Sequence, residues 1–262
     1  VLSVLLAYGN IYENKFLLDD EFLLQKNQLL KSWSTFFDIF LLSSTGGSGG
    51  IDSFYRPVQT VLYLVFAQAF GFSTWSFHAL NVSLHILNVL LMFGLARRLQ
   101  FANGVAFTAA LIWAVHPVHT EAITYMSATA DPAHALFCLL GLYILAPDFG
   151  FRRILAVVPI YVLGLLSKEA AIVFPALVCA CYFWRNPTPY KLRSYVRTWP
   201  LWLTALAYLI LRKTVLDFDQ TFQFYKQSNI YTENILYRVH TFLATVPQYL
   251  QVFFWPQGLH LE

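Results

Sequence analysis

The sequence predicts an all-helical bundle that crosses a membrane several times. Three observations predict it. The chain is 58% hydrophobic and 12% charged over 262 residues, where an ordinary soluble domain carries about 25% charged residues; this much apolar surface calls for a bilayer. The apolar runs are long and unalternated, whereas the strands of a membrane barrel are short and alternate. The basic residues, finally, gather in a few short connections instead of being scattered.

Taken in order, apolar segments are expected at 1–9, 77–96, 103–116, 132–147, 152–167, 170–184, 198–213 and 235–254. Several fall short of the ~20 residues of a straight crossing. The first opens inside "VLSVLLAY" with no initiator Met or signal peptide, so the start reads as internal or processed. The stretch 57–71, "PVQTVLYLVFAQAFG", is short for a span and suits an interfacial or re-entrant helix. The connections with Arg97 and Arg98, with Arg152 and Arg153, and with Arg185, Lys191, Arg193 and Arg197 hold one acid, Asp148. By the positive-inside rule they face the cytoplasm. If 57–71 does not cross, the loops 10–76, 117–131, the point near 168, and 214–234 face outward. The whole chain, 1–262, then reads as a single transmembrane domain, with 10–76 as its long first outer loop.

Within that loop "SSTGGSGG" (43–50) is expected to be mobile, and "KSWSTFFDIFLL" (31–42) reads as an amphipathic helix lying on the membrane. No internal repeat of tetratricopeptide period is present. Cys138, Cys179 and Cys181 sit in apolar runs and read as small core residues, not as a disulfide or zinc framework. The net charge of +3 carries little information in a membrane protein, and no nucleic-acid partner is expected.

The unusual polar residues collect on the outer face. "DDE", Asp19 to Glu21, places three of the chain's 14 acids side by side. Adjacent carboxylates raise the pKa of one of them unless a cation is near. The run is either a solvated loop edge or an acid/base or metal-binding group at the membrane surface. In "HPVHTE", His116 and His119 share a helical face, but Pro117 intrudes and no third zinc ligand is evident. A polar helix terminus, with His donating to a phosphate or carboxylate, fits better. Lys168 beside Glu169 is either an interfacial ion pair or a point charge for phosphate. Arg56 is either a snorkelling anchor or a phosphate clamp. No Gly-rich nucleotide loop is present.

The order of "DDE", "YRP" (55–57), "FHALNVSLHILNVLLMFGLARRL", "HPVHTEAITYMSATAD" and "LLSKEAAIVFP" resembles the membrane half of the transmembrane-and-tetratricopeptide protein O-mannosyltransferase-like family, within the GT-C superfamily. The likeness is good over roughly 9–185 and looser beyond, where "VFFWPQGLHLE" resembles a late segment of that family. It implies a GT-C helical bundle with juxtamembrane helices in its first outer loop. It also implies a hexosyltransferase that moves a sugar, mannose in that family, from a polyprenyl-phosphate donor to a hydroxyl of a protein or glycan acceptor. The site would face the periplasm at a bacterial inner membrane, or the lumen at an endoplasmic-reticulum membrane.

By that resemblance Asp19 or Asp20 is the catalytic base, with a divalent cation, Mg or Mn, as an optional partner of the two. Arg56, His116 and Lys168 would meet the charge developing on the departing phosphate. Tyr55, His119, Glu121, Asp131 and Glu169 would support them. The chain departs from the family in two places. Ala128-Thr129-Ala130-Asp131 stands where Gly-Arg-Ala-Asp is usual, and Glu21 stands where a His is common. Threonine cannot supply the missing charge. The tetratricopeptide half is not in this chain. These departures keep a rival reading open: a degenerate GT-C bundle serving as a scaffold among other membrane subunits. No mid-span charged pair or inverted repeat favours a transporter.

Overall fold

The computed structural model describes residues 1–50, 54–185, 195–216 and 229–257. Lys191, Arg193, most of the expected 214–234 connection and the end of "VFFWPQGLHLE" lie outside the described residues. Among the described residues every regular element is helical: α1 Leu2–Tyr8, α2 Pro57–Phe70, α3 Thr74–Arg98, α4 Asn103–Val115, α5 Thr120–Thr124, α6 Ala130–Leu145, α7 Phe151–Ser167, α8 Phe174–Arg185, α9 Trp199–Thr214, α10 Ile230–Glu233 and α11 Ile235–Phe254. Of these, α3 and the stretch Met126–Leu145 that ends in α6 are long and apolar enough to cross a membrane.

Local chemistry sets the helix ends. α2 starts on Pro57, whose missing N–H and fixed φ suit a first turn, and stops at Gly71 with φ +82°. Ser73 caps α3 by accepting from the Ser76 N–H, and Arg97 and Arg98 occupy its last turn. Pro117 ends α4, because the residue before a proline is pushed out of the helical region, and His116 is extended at φ −67°, ψ 127°.

α3 is the axis of the molecule. Phe77, Leu80 and Leu84 pack with α2 and the first loop. Val82 and Val89 pack with α1, α4 and α5. Leu95 joins the core shared by α6, α7, α8 and α9, around Tyr161, Leu165 and Phe174. A buried polar stripe, His78, Asn81, His85 and Asn88, also runs along this helix. Three of its members, Asn81, His85 and Asn88, bond backbone carbonyls between the end of α4 and the first turn of α6. Asn81 Nδ2 donates to the Ile123 and Tyr125 carbonyls. His85 Nε2 contacts the Ala114 carbonyl at 3.1 Å, and Asn88 Nδ2 donates to that of Pro132. Irregular backbone that is buried in this way is tolerated only where other protein groups satisfy it.

The basic connections meet at one end of the bundle. The Arg98 guanidinium stacks 3.6 Å over the Tyr143 ring and donates to its carbonyl. Arg185 donates to the Arg98 carbonyl, and Arg153 lies 3.9 Å from Asp148.

Two expectations for the first loop are corrected. The stretch 31–42 is not one helix but two 3-10 turns, Trp33–Thr35 and Asp38–Phe40. Ser32 Oγ takes the Ser34 N–H, and Thr35 Oγ1 donates to the Leu29 and Ser32 carbonyls; hydroxyls that bond the local backbone compete with helix. Trp33, Phe37 and Leu41 nonetheless form an exposed apolar edge. The Gly/Ser stretch is not a free linker either. It closes into a turn at Gly46–Ser48, with Ser44 bonded twice to the Phe54 carbonyl. Gly47 lies so close to Asn27 that a Cβ would stand 2.0 Å from its Oδ1.

Candidate active site

The three acids of "DDE" have three different fates. Leu17–Asp20 is a tight turn in which the Asp20 amide donates to the Leu17 carbonyl and Asp20 Oδ2 accepts from the Leu17 N–H. Leu18, between them, takes a left-handed φ of +45°, which costs a non-glycine residue about 1–2 kcal/mol. The bonds of Asp20 hold the turn in that shape. Its Oδ1 accepts from both the N–H and the hydroxyl of Ser127, at 2.9 and 2.5 Å. Asp20 is 1% exposed. Burial pushes its carboxyl above the usual range, opposed by the bonds from Ser127 and Leu17. Glu21 is exposed and pairs with Lys26 at 2.5 Å.

Asp19 is the acid that reaches a cavity. This space, about 640 Å³, is walled by Asp19, Phe22, Phe54, Arg56, Gln59, Glu121, Tyr125 and Asp131, with the Ser44–Thr45 turn and Gly50 on its loop side. The volume lies within the ~300–1,000 Å³ of small-ligand sites. The Asp19 N–H donates to the Tyr125 hydroxyl at 3.0 Å.

Arg56 sits on the opposite side of the charge ledger. It lies over the Phe54 ring at 4.4 Å and donates through Nε and a terminal nitrogen to Glu169 Oε2. Lys168 pairs with Asp131 at 2.5 Å, so it reaches the cavity through a wall residue without lining it. Arg56, Lys168, Asp131, Glu169 and Glu121 are therefore one neighbourhood with Asp19. Tyr55 is buried and braces the loop by donating to the Phe40 carbonyl at 3.0 Å.

The two histidines are placed elsewhere. His116 Nδ1 accepts from the Val118 N–H as a cap, and its ring stacks on Phe253 of α11 at 5.2 Å. His119 packs against Trp113 at 4.5 Å and His85 at 5.4 Å. Burial, with the neighbouring His85 and His116 charges, pulls its pKa down to about 4. Neither histidine belongs to the cavity wall.

The pair Asp19 and Asp20 fits a divalent ion poorly, since Asp20 is buried and already accepts three hydrogen bonds, which leaves one lone pair of Oδ2. No cluster of three or more His, Cys, Asp or Glu side chains suited to a metal occurs among the described residues. Thr129, in the position of the family's arginine, is fully buried and donates to Asn81 Oδ1 and the Met126 carbonyl.

Sequence reasoning missed Tyr125, Ser127 and Gln59. The first two stand in the quoted run "HPVHTEAITYMSATAD", but nothing local says that their hydroxyls meet a turn more than a hundred residues earlier. Gln59, two residues after Pro57, looks like an ordinary polar residue in a short apolar helix.

No family model and no solved structure matches the chain. Curated relatives do. Protein O-mannosyl-transferase TMTC1 of Mus musculus is 34% identical over 143 residues, covering 52% of this chain and 15% of that protein. Protein O-mannosyl-transferase F38B6.6 of Caenorhabditis elegans is 27% identical over 185 residues, 67% of this chain and 26% of that protein. Protein O-mannosyl-transferase tmtc2 of Xenopus laevis is 33% identical over 142 residues, 53% of this chain and 17% of that protein. The chain thus spans about a quarter or less of the length of these relatives. Their name is that of the family the motifs resemble, and over about half of its length this chain is similar to the TMTC protein O-mannosyl-transferases.

Proposed function

We propose that the chain is the donor-binding and catalytic membrane part of a glycosyltransferase that moves mannose from a polyprenyl-phosphate carrier to a hydroxyl of a protein acceptor. The observation that carries this reading is the meeting of Asp19 and Arg56 in the wall of one cavity. The names of the relatives support the reaction class.

In this reading Asp19 is the general base. The acceptor hydroxyl attacks the anomeric carbon as its proton passes to the Asp19 carboxylate, and the bond from that carbon to the phosphate oxygen breaks. The departing phosphate takes the place of a carboxylate, Glu169 at Arg56 or Asp131 at Lys168, and pairs with the cation that it held. Donors fixed in advance where charge develops are typically worth about 10²–10³ in rate. Asp20 acts at one remove. It holds the turn that presents Asp19 and is not itself the base. His116 and His119 carry no role at the phosphate.

The reading also takes 1–262 as one GT-C-like bundle, multi-pass in the membrane. Its basic connections face the cytoplasm, and the loop 10–76 and the cavity face the far side, where a carrier lipid keeps its chain in the bilayer and its head at the rim. The test is transfer of labelled mannose from polyprenyl-phosphate mannose to a Ser/Thr peptide by the purified protein in detergent. Transfer by the wild type and its loss in Asp19→Asn are expected. A wild type that transfers nothing, or an active Asp19→Asn protein, overturns the reading.

The rival reading, a scaffold subunit, draws on one observation: Arg56 and Lys168 both rest in ion pairs, and Thr129 offers the cavity no replacement charge. Stoichiometric copurification with other membrane subunits, without transfer, favours it.

A further inference from the structure

Gln59 is 1% exposed and belongs to the cavity wall. Its amide orientation is fixed by chemistry. One nitrogen, Nε2, donates to the Ser127 carbonyl at 2.8 Å and to the Tyr63 hydroxyl at 2.7 Å. The Tyr63 hydroxyl has spent its own proton on the Met126 carbonyl at 2.8 Å. Carbonyl oxygens only accept, so turning the amide over would set oxygen against oxygen at Ser127 and would strand the phenol. Both amide protons are thereby used. Oε1 remains, and it has no hydrogen-bond partner among the described residues.

A buried acceptor without a donor is costly, and native proteins rarely keep one without a reason. Gln59 belongs to the wall of a cavity that also carries Asp19, Glu121 and Asp131, and its Oε1 is buried within that wall. Such a wall is rich in acceptors, so the occupant on this side must bring hydrogen-bond donors. A phosphate, which brings only acceptor oxygens, is repelled from it and belongs beside Arg56. The aromatic rings of Phe54 and Tyr125 add the flat apolar faces against which the C–H face of a sugar ring can lie.

We propose that Gln59 is a specificity residue, and that its Oε1 accepts a hydrogen bond from a hydroxyl of the hexose held in the cavity. This deepens the glycosyltransferase reading and rests on it for the identity of the sugar. The rigidity of the amide makes the acceptor directional, so a single hydroxyl of the ring is read. A site built to bond a substrate hydroxyl discriminates against an analogue that lacks it, because the protein group is then left unpaired.

The test is binding of methyl α-mannoside and its 2-, 3-, 4- and 6-deoxy forms to the full chain in detergent, followed by saturation-transfer NMR. No transfer reaction is needed. For the wild type, one deoxy form is expected to bind roughly 10-fold more weakly than the parent through the Gln59 contact. Gln59→Met should bind the parent and that deoxy form alike while keeping any preference at the other positions. Tyr63→Phe, which leaves the amide held by the Ser127 carbonyl and does not touch Oε1, should keep the wild-type pattern. Gln59→Met with its discrimination intact overturns the proposal. Should Gln59→Met fail to fold, an electron cryo-microscopy structure of the wild type with methyl α-mannoside decides: Oε1 within hydrogen-bond distance of a ring hydroxyl supports it, and any other position of the sugar refutes it. Mannoside binding with this pattern but no transfer from polyprenyl-phosphate mannose leaves Gln59 standing and removes the donor. Transfer without the pattern removes Gln59 alone.

Discussion

The hydroxyl of Tyr125 accepts the backbone N–H of Asp19 at 3.0 Å across 106 residues of chain. With Ser127 holding Asp20 two residues further on, the acidic turn of the first loop is fastened at two successive residues to the segment between α5 and α6. The position of the Asp19 carboxylate is therefore a property of that distant segment as much as of the loop.

Tyr125→Phe should test this coupling. The ring and its packing survive, and the Asp19 N–H loses its acceptor. One such bond contributes about 1 kcal/mol, so the thermal midpoint should fall slightly. Sugar transfer should fall by roughly 10-fold, as expected when a catalytic group loses its orientation. Full activity in Tyr125→Phe would mean that the bond does not place Asp19.

Asp19 and Asp20 should separate cleanly on mutation. Asp19→Asn should leave stability within about 0.5 kcal/mol, as for an ordinary surface change, and abolish transfer. Asp20→Ala strands the Ser127 N–H, the Ser127 hydroxyl and the Leu17 N–H. The Leu17 N–H is at an exposed residue, but the two Ser127 donors are buried; at about 1–3 kcal/mol for each buried orphan, the change should cost at least about 2 kcal/mol in unfolding measured by circular dichroism in detergent. Equal losses of stability in the two variants would contradict the division of roles.

That division was not legible in the sequence. Three adjacent carboxylates look alike until Tyr125 and Ser127 are brought beside them, and a contact across more than a hundred residues leaves no periodicity behind. The helices were legible, because apolar length and composition report directly on burial: the expected 77–96 falls inside Thr74–Arg98, and the expected 132–147 overlaps Met126–Leu145 except for its last two residues. Local hydrogen bonding misled the reading of 31–42, where the apolar pattern of Trp33, Phe37 and Leu41 has helical spacing but Ser32 and Thr35 bind the backbone instead. His116 and Lys168 stand at similar helix ends in the sequence. Packing alone decides that one meets Phe253 and the other Asp131.

His119 should make stability depend on pH in one direction. Its pKa is pulled from 6.5 down to about 4, first by burial and then by the His85 and His116 charges. The unfolded chain takes up the proton near 6.5 and the folded one only near 4. The stabilising contribution is thus complete above pH 6.5 and is lost as pH falls towards 4. Partial exposure lowers the full linkage figure, leaving roughly 1–3 kcal/mol. Thermal midpoints between pH 7 and pH 4.5 should fall less steeply in His119→Gln than in the wild type. Parallel curves would show that His119 does not titrate in this way.

Glu169 should act as a stand-in for phosphate. It holds Arg56 at 3.1 Å, with the two side chains 18% and 34% exposed. An incoming anion has to displace a carboxylate that already satisfies the guanidinium. Glu169→Gln removes that competitor and leaves Arg56 with a neutral neighbour, so a phosphate gains access to a free cation. The partly exposed pair contributes on the order of 1 kcal/mol, which sets the expected gain in polyprenyl-phosphate affinity at about fivefold. The gain should shrink as salt is raised, since the remaining attraction is screened. Arg56→Ala should weaken binding and cancel the effect of Glu169→Gln in the double variant. Polyprenyl-phosphate affinity measured by microscale thermophoresis at two ionic strengths decides the matter: if Glu169→Gln binds no better than the wild type, Arg56 is not the group that meets the phosphate.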